Sequence, residues 1–500
     1  MTHAAGAGFC IKHGYVARAQ ASYFDDEPYA TSPVIHQPDA YTLAAFLAQR
    51  HGADTIIDIG CGSARKLMAL QGFRKIGVDF GPNLRYCTRS YPTETWIEAD
   101  LASARDLAIV DDVVARSVII CADVIEHLVD PTRLLTLLAD LSRRASAVII
   151  STPERDLVRG PDDMGPPANP AHVREWNIAE FETLLTSNAL APTFLGLTIN
   201  NDQDLEKTTI LAVVDRSQHY LTTVAPDTFR PLAIVATYND RDIIVPVTTK
   251  LLDDGIDVHV LDNWSNDQSY EALTSLVSSR ACLVVERFPD NGPTQHYEWR
   301  ALLERKDQIA QQHPGRWIIH HDSDEVRCSP WRGMSLRAGL HVADQMGFNA
   351  VDFTVCNFRP IDDSFAVGLD PEAAFRFFEL AREPAHFVQI KAWRQPNDSV
   401  SLALSGGHEA QFAGRRIFPY KFMLKHYELR GSEHARRKVF GERRERYSPR
   451  ERADGWHNHY DHWKVEDRFL WDRGGLIEFD EERTRREFLI ELISGIGIIR

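Results

Sequence analysis

Two α/β units in tandem, each wound around a largely parallel sheet, are the architecture this sequence predicts. Three observations carry the prediction. Short apolar runs alternate with helix-like segments through the first half, and the same alternation restarts after a polar, aperiodic stretch near residue 220. Many of the runs end on a carboxylate followed by turn formers, as at Asp58, Asp79, Asp100, Asp123, Asp262 and Asp322. A chain of 500 residues is also too long for one ordinary domain.

The first run, Thr55-Ile56-Ile57-Asp58-Ile59, breaks into Gly60-Cys61-Gly62-Ser63-Ala64 before a helix-like pattern at Lys66, Leu67, Met68 and Leu70. A buried strand feeding a tight turn into a helix is expected, with glycines where a Cβ would keep a ligand away from the backbone. About twenty residues later, Lys75 to Asp79 is a second strand ending in an acid, placed to accept a ribose diol. Before these strands, residues 1 to about 35 have no clear period, and Asp39 to Arg50 reads as an amphipathic helix. After them come Trp96 to Asp100, Ser117 to Asp123 and Ala147 to Pro153 as third, fourth and fifth strands. Thr193 to Thr198 and Thr208 to Val214 supply a closing hairpin.

The glycine turn resembles motif I of the class I S-adenosylmethionine-dependent methyltransferases, with Ala64 where many members have glycine. A nicotinamide-binding fingerprint would need its last glycine where Arg65 stands, and the first half has no Tyr-x-x-x-Lys dyad, which argues against a nucleotide-sugar dehydrogenase or epimerase. Asp123-Val124-Ile125-Glu126-His127-Leu128 and Asn169 to Trp176 resemble the ubiquinone-biosynthesis-type members, so the likeness spans roughly residues 40–215. It implies S-adenosylmethionine as cofactor. Asp79 would take the ribose, Asp100 the adenine amine, and Gly60 and Gly62 would let the methionine moiety approach. Asp58 would order the loop or the ammonium, and Asp123 would line the sheet edge. An N-terminal segment covers the cofactor in many such enzymes. His127 and His172 are candidate general bases for O-methyl transfer, because imidazole titrates near neutrality; packing roles are the alternative.

Residues 216–230 read as a linker, giving domains of 1–215 and 231–500. In the second half the strands are Leu232 to Ala236, Ile256 to Leu261, Cys282 to Glu286 and Trp317 to His321, with helical patterns at Ile243 to Leu252 and Gln295 to Gln311. Three turns follow these strands: Thr237-Tyr238-Asn239-Asp240, Asp262 to Asp267, and Asp322-Ser323-Asp324. Together they resemble the family 2-like glycosyltransferases of the GT-A fold. That resemblance implies nucleotide-sugar contacts from Thr237, Asn239, Asp262, Asp267 and Asp322. It also implies Mn²⁺ or Mg²⁺ held by Asp322 and Asp324, neutralising a diphosphate leaving group. His426 or His408 would be an added metal ligand, Glu409 the base, and the anomeric centre would invert.

The basic run from Arg436 to Arg452 is interspersed with Glu442, Glu445 and Glu451. It is either a solvated helix face or a contact for a diphosphate or an anionic, membrane-borne acceptor. Trp456 to Trp463 reads as a packed loop, in a helical C-terminal extension that ends in short apolar stretches expected to be core.

Composition bounds the rest. With 44% hydrophobic residues the chain can bury ample core, and a net charge of -15 argues against nucleic acid as a partner. Seven scattered cysteines form no Cys-x-x-Cys pair, which fits a reducing cytoplasm. Neither a secretory signal nor a membrane-spanning run is apparent, though peripheral membrane contact is compatible. The expectation is a bifunctional cytoplasmic enzyme that methylates and glycosylates one glycan or glycolipid of a surface polysaccharide. The alternative is one active unit with the other serving as a binding module.

Overall fold

The computed structural model describes residues 9–20, 22–204, 206–215, 224–381, 388–458 and 460–493. Contacts divide the chain into two units, residues 1–222 with 482–500 and residues 223–481.

The first unit is a seven-stranded sheet. Its strands are β1 (Thr55–Ile59), β2 (Arg74–Asp79), β3 (Thr95–Glu98), β4 (Ser117–Ala122), β5 (Ala147–Pro153), β6 (Phe194–Thr198) and β7 (Thr209–Asp215), in the order β3-β2-β1-β4-β5-β7-β6. β1 to β5 run parallel; β7 is antiparallel to both β5 and β6. All residues of β1 and β4 are buried, which is why they read as continuous apolar runs. Helix Pro38–His51 is delimited by Pro38 in its first turn and by Gly52, left-handed at φ 69°. Helix Thr132–Arg144 buries Leu134, Leu135, Leu138 and Leu141 along one stripe. The strand order reverses between β1 and β4, so a crevice opens outside the carboxyl ends of these two strands.

The C-terminal segment belongs with this first unit rather than extending the second domain to residue 500. The physical reason lies at Gly196 on the edge strand β6, where a Cβ would stand 2.4 Å from the Arg486 carbonyl oxygen and 2.5 Å from Leu489 Cβ. The missing side chain admits the helix Leu489–Leu492, whose Leu489, Ile490 and Leu492 are buried. Lys207 Nζ donates to the Glu487 carbonyl at 2.7 Å and fastens the segment further. The apolar stretch at 496–499 lies outside the described residues.

In the second unit, β8 (Leu232–Thr237), β9 (Asp257–Asp262), β10 (Leu283–Arg287) and β11 (Trp317–Asp322) are parallel neighbours in the order β10-β9-β8-β11. β12 (Glu325–Cys328), β13 (Ala350–Val351), β14 (Phe353–Phe358), β15 (Phe377–Leu380), β16 (Ala392–Arg394), β17 (Phe422–His426) and β18 (Ile477–Glu478) follow. β16 and β13 extend the parallel sheet with antiparallel pairing, and the others form a five-stranded mixed sheet, β12-β17-β14-β15-β18. The short strands of this second sheet carry no sustained period in the sequence, unlike the four parallel strands before them. Trp463, Tyr460, Phe469 and Trp471 pack with Leu429, Val439 and Tyr447 as a separate core, so the aromatic loop is packing. Among the described residues no helix is long and apolar enough to cross a membrane.

Candidate functional site

In the first unit the turn after β1 holds three consecutive left-handed positions on alternate residues: Gly60 (φ 78°), Gly62 (φ 55°) and Ala64 (φ 56°). A Cβ at Gly60 would meet Val124 at 2.4 Å, and one at Gly62 would meet Asp26 Oδ2 at 2.7 Å. Only glycine fits at either place. Ala64 adopts the glycine conformation despite its methyl group, at a steric cost of roughly 1–2 kcal/mol.

Asp58, fully buried near the end of β1, accepts a 3.0 Å bond from the Tyr41 hydroxyl at Oδ2, while its Oδ1 has no partner. Burial pushes its carboxyl up to about 7, against the pull of Lys66. At the end of β2, Asp79 accepts from the amides of Gly62 and Phe80, each at 2.8 Å, which ties the second strand to the glycine turn. Asp100 is exposed just beyond β3 and closes its own turn, accepting from Ala102 N at 3.0 Å. Asp123 sits past β4 at φ 53° and accepts from the Ser151 hydroxyl at 3.1 Å. All except the inward-facing Asp58 line one cavity of about 1150 Å³ together with Gly60, Gly62, His127 and His172.

A residue the sequence reading passed over completes the turn. Asp26 accepts from Ser63 N at 2.8 Å, and its own amide donates to Asn83 Oδ1 at 3.0 Å. It arrives on the N-terminal segment, whose Tyr23, Phe24 and Tyr29 line the cavity mouth. That segment has no period, so only the tertiary contact reveals its role.

The histidines part from the role of equivalent bases. His127 Nδ1 faces the Ala171 carbonyl at 2.9 Å, and burial together with His172 lowers its pKa to about 4. It is therefore neutral at pH 7 and a weak base. His172 Nδ1 meets Glu175 Oε1 at 2.6 Å, and its Nε2 faces Asn169 Nδ2 at 3.0 Å. Glu126, with Oε1 unpartnered, converges with His127 and His172 so that one ligand atom from each lies within 4.8 Å of the others. Such a nitrogen and oxygen set suits a divalent cation.

In the second unit the three expected turns do meet at one sheet edge. Asn239 N donates to Ser265 Oγ at 3.0 Å, and Asn266 N to Asn239 Oδ1 at 2.9 Å. Arg241 N donates to Asp267 Oδ2 at 3.0 Å, and Ser323 Oγ donates to Asp240. Asp262 is fully buried; its Oδ2 accepts from Ser265 N at 3.1 Å, while Oδ1 has no partner, and burial raises its pKa.

The expected metal set is not assembled. Asp322 faces Lys391 Nζ at 3.2 Å and Lys306 Nζ at 3.7 Å; against the effect of burial, Lys391, His320 and Lys306 hold its carboxyl well below the usual range. Asp324 Oδ2 lies 2.8 Å from Lys438 Nζ, and its Oδ1 lies 3.7 Å from His426 Nε2. His408 turns instead to Gln389 Nε2 at 2.9 Å. Among the described residues these four do not gather as a ligand group, because buried ammonium groups already satisfy the acids. Glu409 is also engaged, by Arg415 at 3.0 Å. The other cluster with metal-like spacing, Asp240, Asp242 and His434, has its carboxylates bound to Arg430 at 2.7 Å.

The basic run is only partly a solvated face. Lys438 is buried against Asp324, Arg443 lies over the Tyr297 ring at 4.5 Å, and Arg446 lies over Tyr238 at 4.1 Å. A π-helical turn spans Arg437–Arg443, within the run, and breaks the helical period that suggested a surface stripe.

Residues 36–191 match the family model of a methyltransferase domain. Over 142 residues the chain is 33% identical to two proteins of Mycobacterium tuberculosis, strains CDC 1551 / Oshkosh and H37Rv, each named a probable S-adenosylmethionine-dependent methyltransferase. That alignment covers 28% of this chain and 49% of theirs, so the chain spans about half the length of the curated relatives it matches. Among solved structures, the methyltransferase domain of bacterial CtHen1 is similar at 22% identity and a TM-score of 0.27, over 36% of this chain and 98% of that one. Human N-acetylserotonin methyltransferase in complex with S-adenosylmethionine is similar at 15% identity and a TM-score of 0.26, over 35% and 51%.

Proposed function

We propose that the first unit transfers the methyl group of S-adenosylmethionine to a hydroxyl of a glycan or glycoconjugate, and that the second transfers a sugar to the same class of acceptor from a nucleotide-sugar. The observation that carries the first half is the meeting of the Gly60–Gly62 turn, Asp79 and Asp123 on one cavity at the point where the strand order reverses. The cofactor, when bound, supplies an electrophilic methyl group. Asp79 would receive the ribose hydroxyls, Asp58 behind the glycine turn would order that turn or hold the methionine ammonium through water, and Asp100 at the rim would meet the adenine amine. His172, held by Glu175, is the better placed of the two histidines to take a proton from the acceptor hydroxyl.

For the second half the carrying observation is the bracing of the turns at 237–241, 262–267 and 322–324 at one sheet edge. Thr237, Asn239, Asp262 and Asp267 are the proposed donor contacts, and Glu409 is the proposed base for transfer with inversion. A cytoplasmic location belongs to this reading, as does a domain boundary between residues 216 and 230. The ion pairs of Asp322, Asp324 and Glu409 favour a second reading, in which this unit binds a glycan or nucleotide without catalysing transfer.

Incubating the full chain with S-adenosylmethionine and a panel of nucleotide-sugars tests both halves. Methyl transfer to a glycan acceptor, together with donor hydrolysis or sugar transfer, is expected. Methylation without consumption of any nucleotide-sugar would leave the binding-module reading in place. Failure to bind S-adenosylmethionine would remove the first half.

A further inference from the structure

Each carboxylate expected to hold a divalent cation in the second unit is already countered by a buried protein cation. Lys391 and Lys438 side chains are only 7% and 6% exposed. Both are pinned on their far side as well, Lys391 by Glu325 Oε1 at 3.0 Å and Lys438 by the Glu428 carbonyl at 2.9 Å. Arg430, with a fully buried side chain, adds a third positive charge 3.9 Å from Asp324 Oδ2. A divalent ion bonded to these oxygens would sit about 2.0–2.6 Å from them, with the ammonium groups as like-charged neighbours. Swinging either lysine away would leave a cation buried without a partner. The donor set therefore does not fit Mn²⁺ or Mg²⁺.

Positive charge is nevertheless left over at this edge. Among the described residues, Arg443 and Arg446 form no ion pair, and Arg446 Nη1 is buried without a hydrogen-bond partner. Arg446 Nη2 donates to Asn263 Oδ1 at 3.2 Å, next to Asp262. The same stretch of chain is tied to the opening loop, since Glu442 Oε1 accepts from Asn239 Nδ2 at 2.9 Å. Two fully or nearly fully buried acceptor groups without partners, Asp262 Oδ1 and Thr237 Oγ1, belong to the same two turns. Unpaired guanidinium beside unpaired acceptors at a sheet edge describes a ligand with an anionic part and a hydroxyl- or amide-bearing part.

Resting on the reading that this unit takes a nucleotide-sugar, we propose that it binds the nucleoside diphosphate portion without a divalent cation, with Arg443 and Arg446 neutralising the phosphates. The arginines of the basic run thus do the work expected of a metal. Planar guanidinium groups suit this task, because each presents paired donors to phosphate oxygens.

Calorimetric titration of the full chain with UDP, GDP, ADP and CDP, each in EDTA and in excess MnCl₂, tests the proposal. One of these should bind with an affinity that differs by less than about twofold between the two conditions. Arg443→Gln and Arg446→Gln should each weaken that binding by about tenfold or more in EDTA, the scale of one lost charge-assisted bond. Arg446→Lys should recover part of the loss, and Arg450→Gln, at an exposed position, should leave binding unchanged. Unchanged S-adenosylhomocysteine binding and melting profile would show that the variants are folded. Binding that requires MnCl₂ would overturn the metal-free site and leave the nucleotide-sugar reading standing. Metal-free binding indifferent to both arginines would overturn their assignment. Absence of binding by every nucleotide in both conditions would overturn the nucleotide-sugar reading, and this inference with it.

Discussion

The two sheets present the same local device, an apolar strand ending on an acid, to opposite electrical surroundings. In the first unit the strand-end acids stay acceptors. Asp79 takes two backbone amides, Asp58 takes one hydroxyl, and among the described residues no ammonium or guanidinium forms an ion pair with either. In the second unit Asp322 and Asp324 are matched by Lys391, Lys306 and Lys438, while Asp240 and Asp242 are bound by Arg430. The first arrangement suits a ligand bearing hydroxyls and a positive charge, and the second tolerates an anionic one. Strand-end acids therefore do not identify a ligand class until the residues facing them are known.

The largest expected effect that tests this contrast is at Asp79. Asp79→Ala should remove two charge-assisted bonds to a bound diol, at roughly 1.5–3 kcal/mol each, so S-adenosylhomocysteine binding should fall about a hundredfold or more. Calorimetry should show nucleotide binding by the other unit unaltered. Equal weakening of both ligands would break the independence of the two sites.

Next in size, Lys391→Met should leave Asp322 and Glu325 short of a buried cation. Destabilisation of about 3–5 kcal/mol is expected, confined to one unit. Denaturant unfolding followed by S-adenosylhomocysteine protection would separate the units, and a variant as stable as the parent would show that the lysine is dispensable.

Acidity offers a comparison of the opposite sign. The Asp58 carboxyl is raised from 3.8 to about 7 on folding, so the folded state favours its neutral form. Its stability contribution is fully present below pH 4 and is lost as pH rises toward 7, after which the loss is constant. Asp58→Asn should therefore stabilise the ligand-free first unit by a few kcal/mol at pH 8 and by little at pH 4, while weakening S-adenosylmethionine binding. A melting-temperature gain independent of pH would contradict the assigned cause.

Smallest of all, Ala64→Gly should relieve the left-handed alanine and stabilise the first unit by about 0.5–1 kcal/mol, after subtracting the entropy that glycine brings to the unfolded chain. Differential scanning calorimetry should place the shift in one transition only. Destabilisation would mean that the methyl group packs usefully enough to outweigh its strain.

Much of the fold could be read directly from residue order. Buried parallel strands are continuous apolar runs, which is why all seven strands of the first sheet and the four parallel strands of the second were legible with boundaries close to those observed. Turn chemistry was legible for the same local reason, since Gly60 and Gly62 are needed where a Cβ has no room. The five-stranded sheet was mostly hidden, because β12, β15 and β18 are short and pair across long stretches of chain.

Which atoms face a strand-end acid is settled by residues far away in sequence. Asp26 reaches Ser63 from 37 positions upstream, and Lys438 reaches Asp324 from 114 positions downstream. The C-terminal helix at Leu489–Leu492 finds β6 across nearly three hundred residues because Gly196 leaves a gap there. Sequence pattern alone determined the strands, the turns and the two-unit order, since these depend on short-range sterics and burial. Tertiary structure decided the charge balance of each site, because Coulomb interactions and desolvation depend on separation in space and not on separation along the chain.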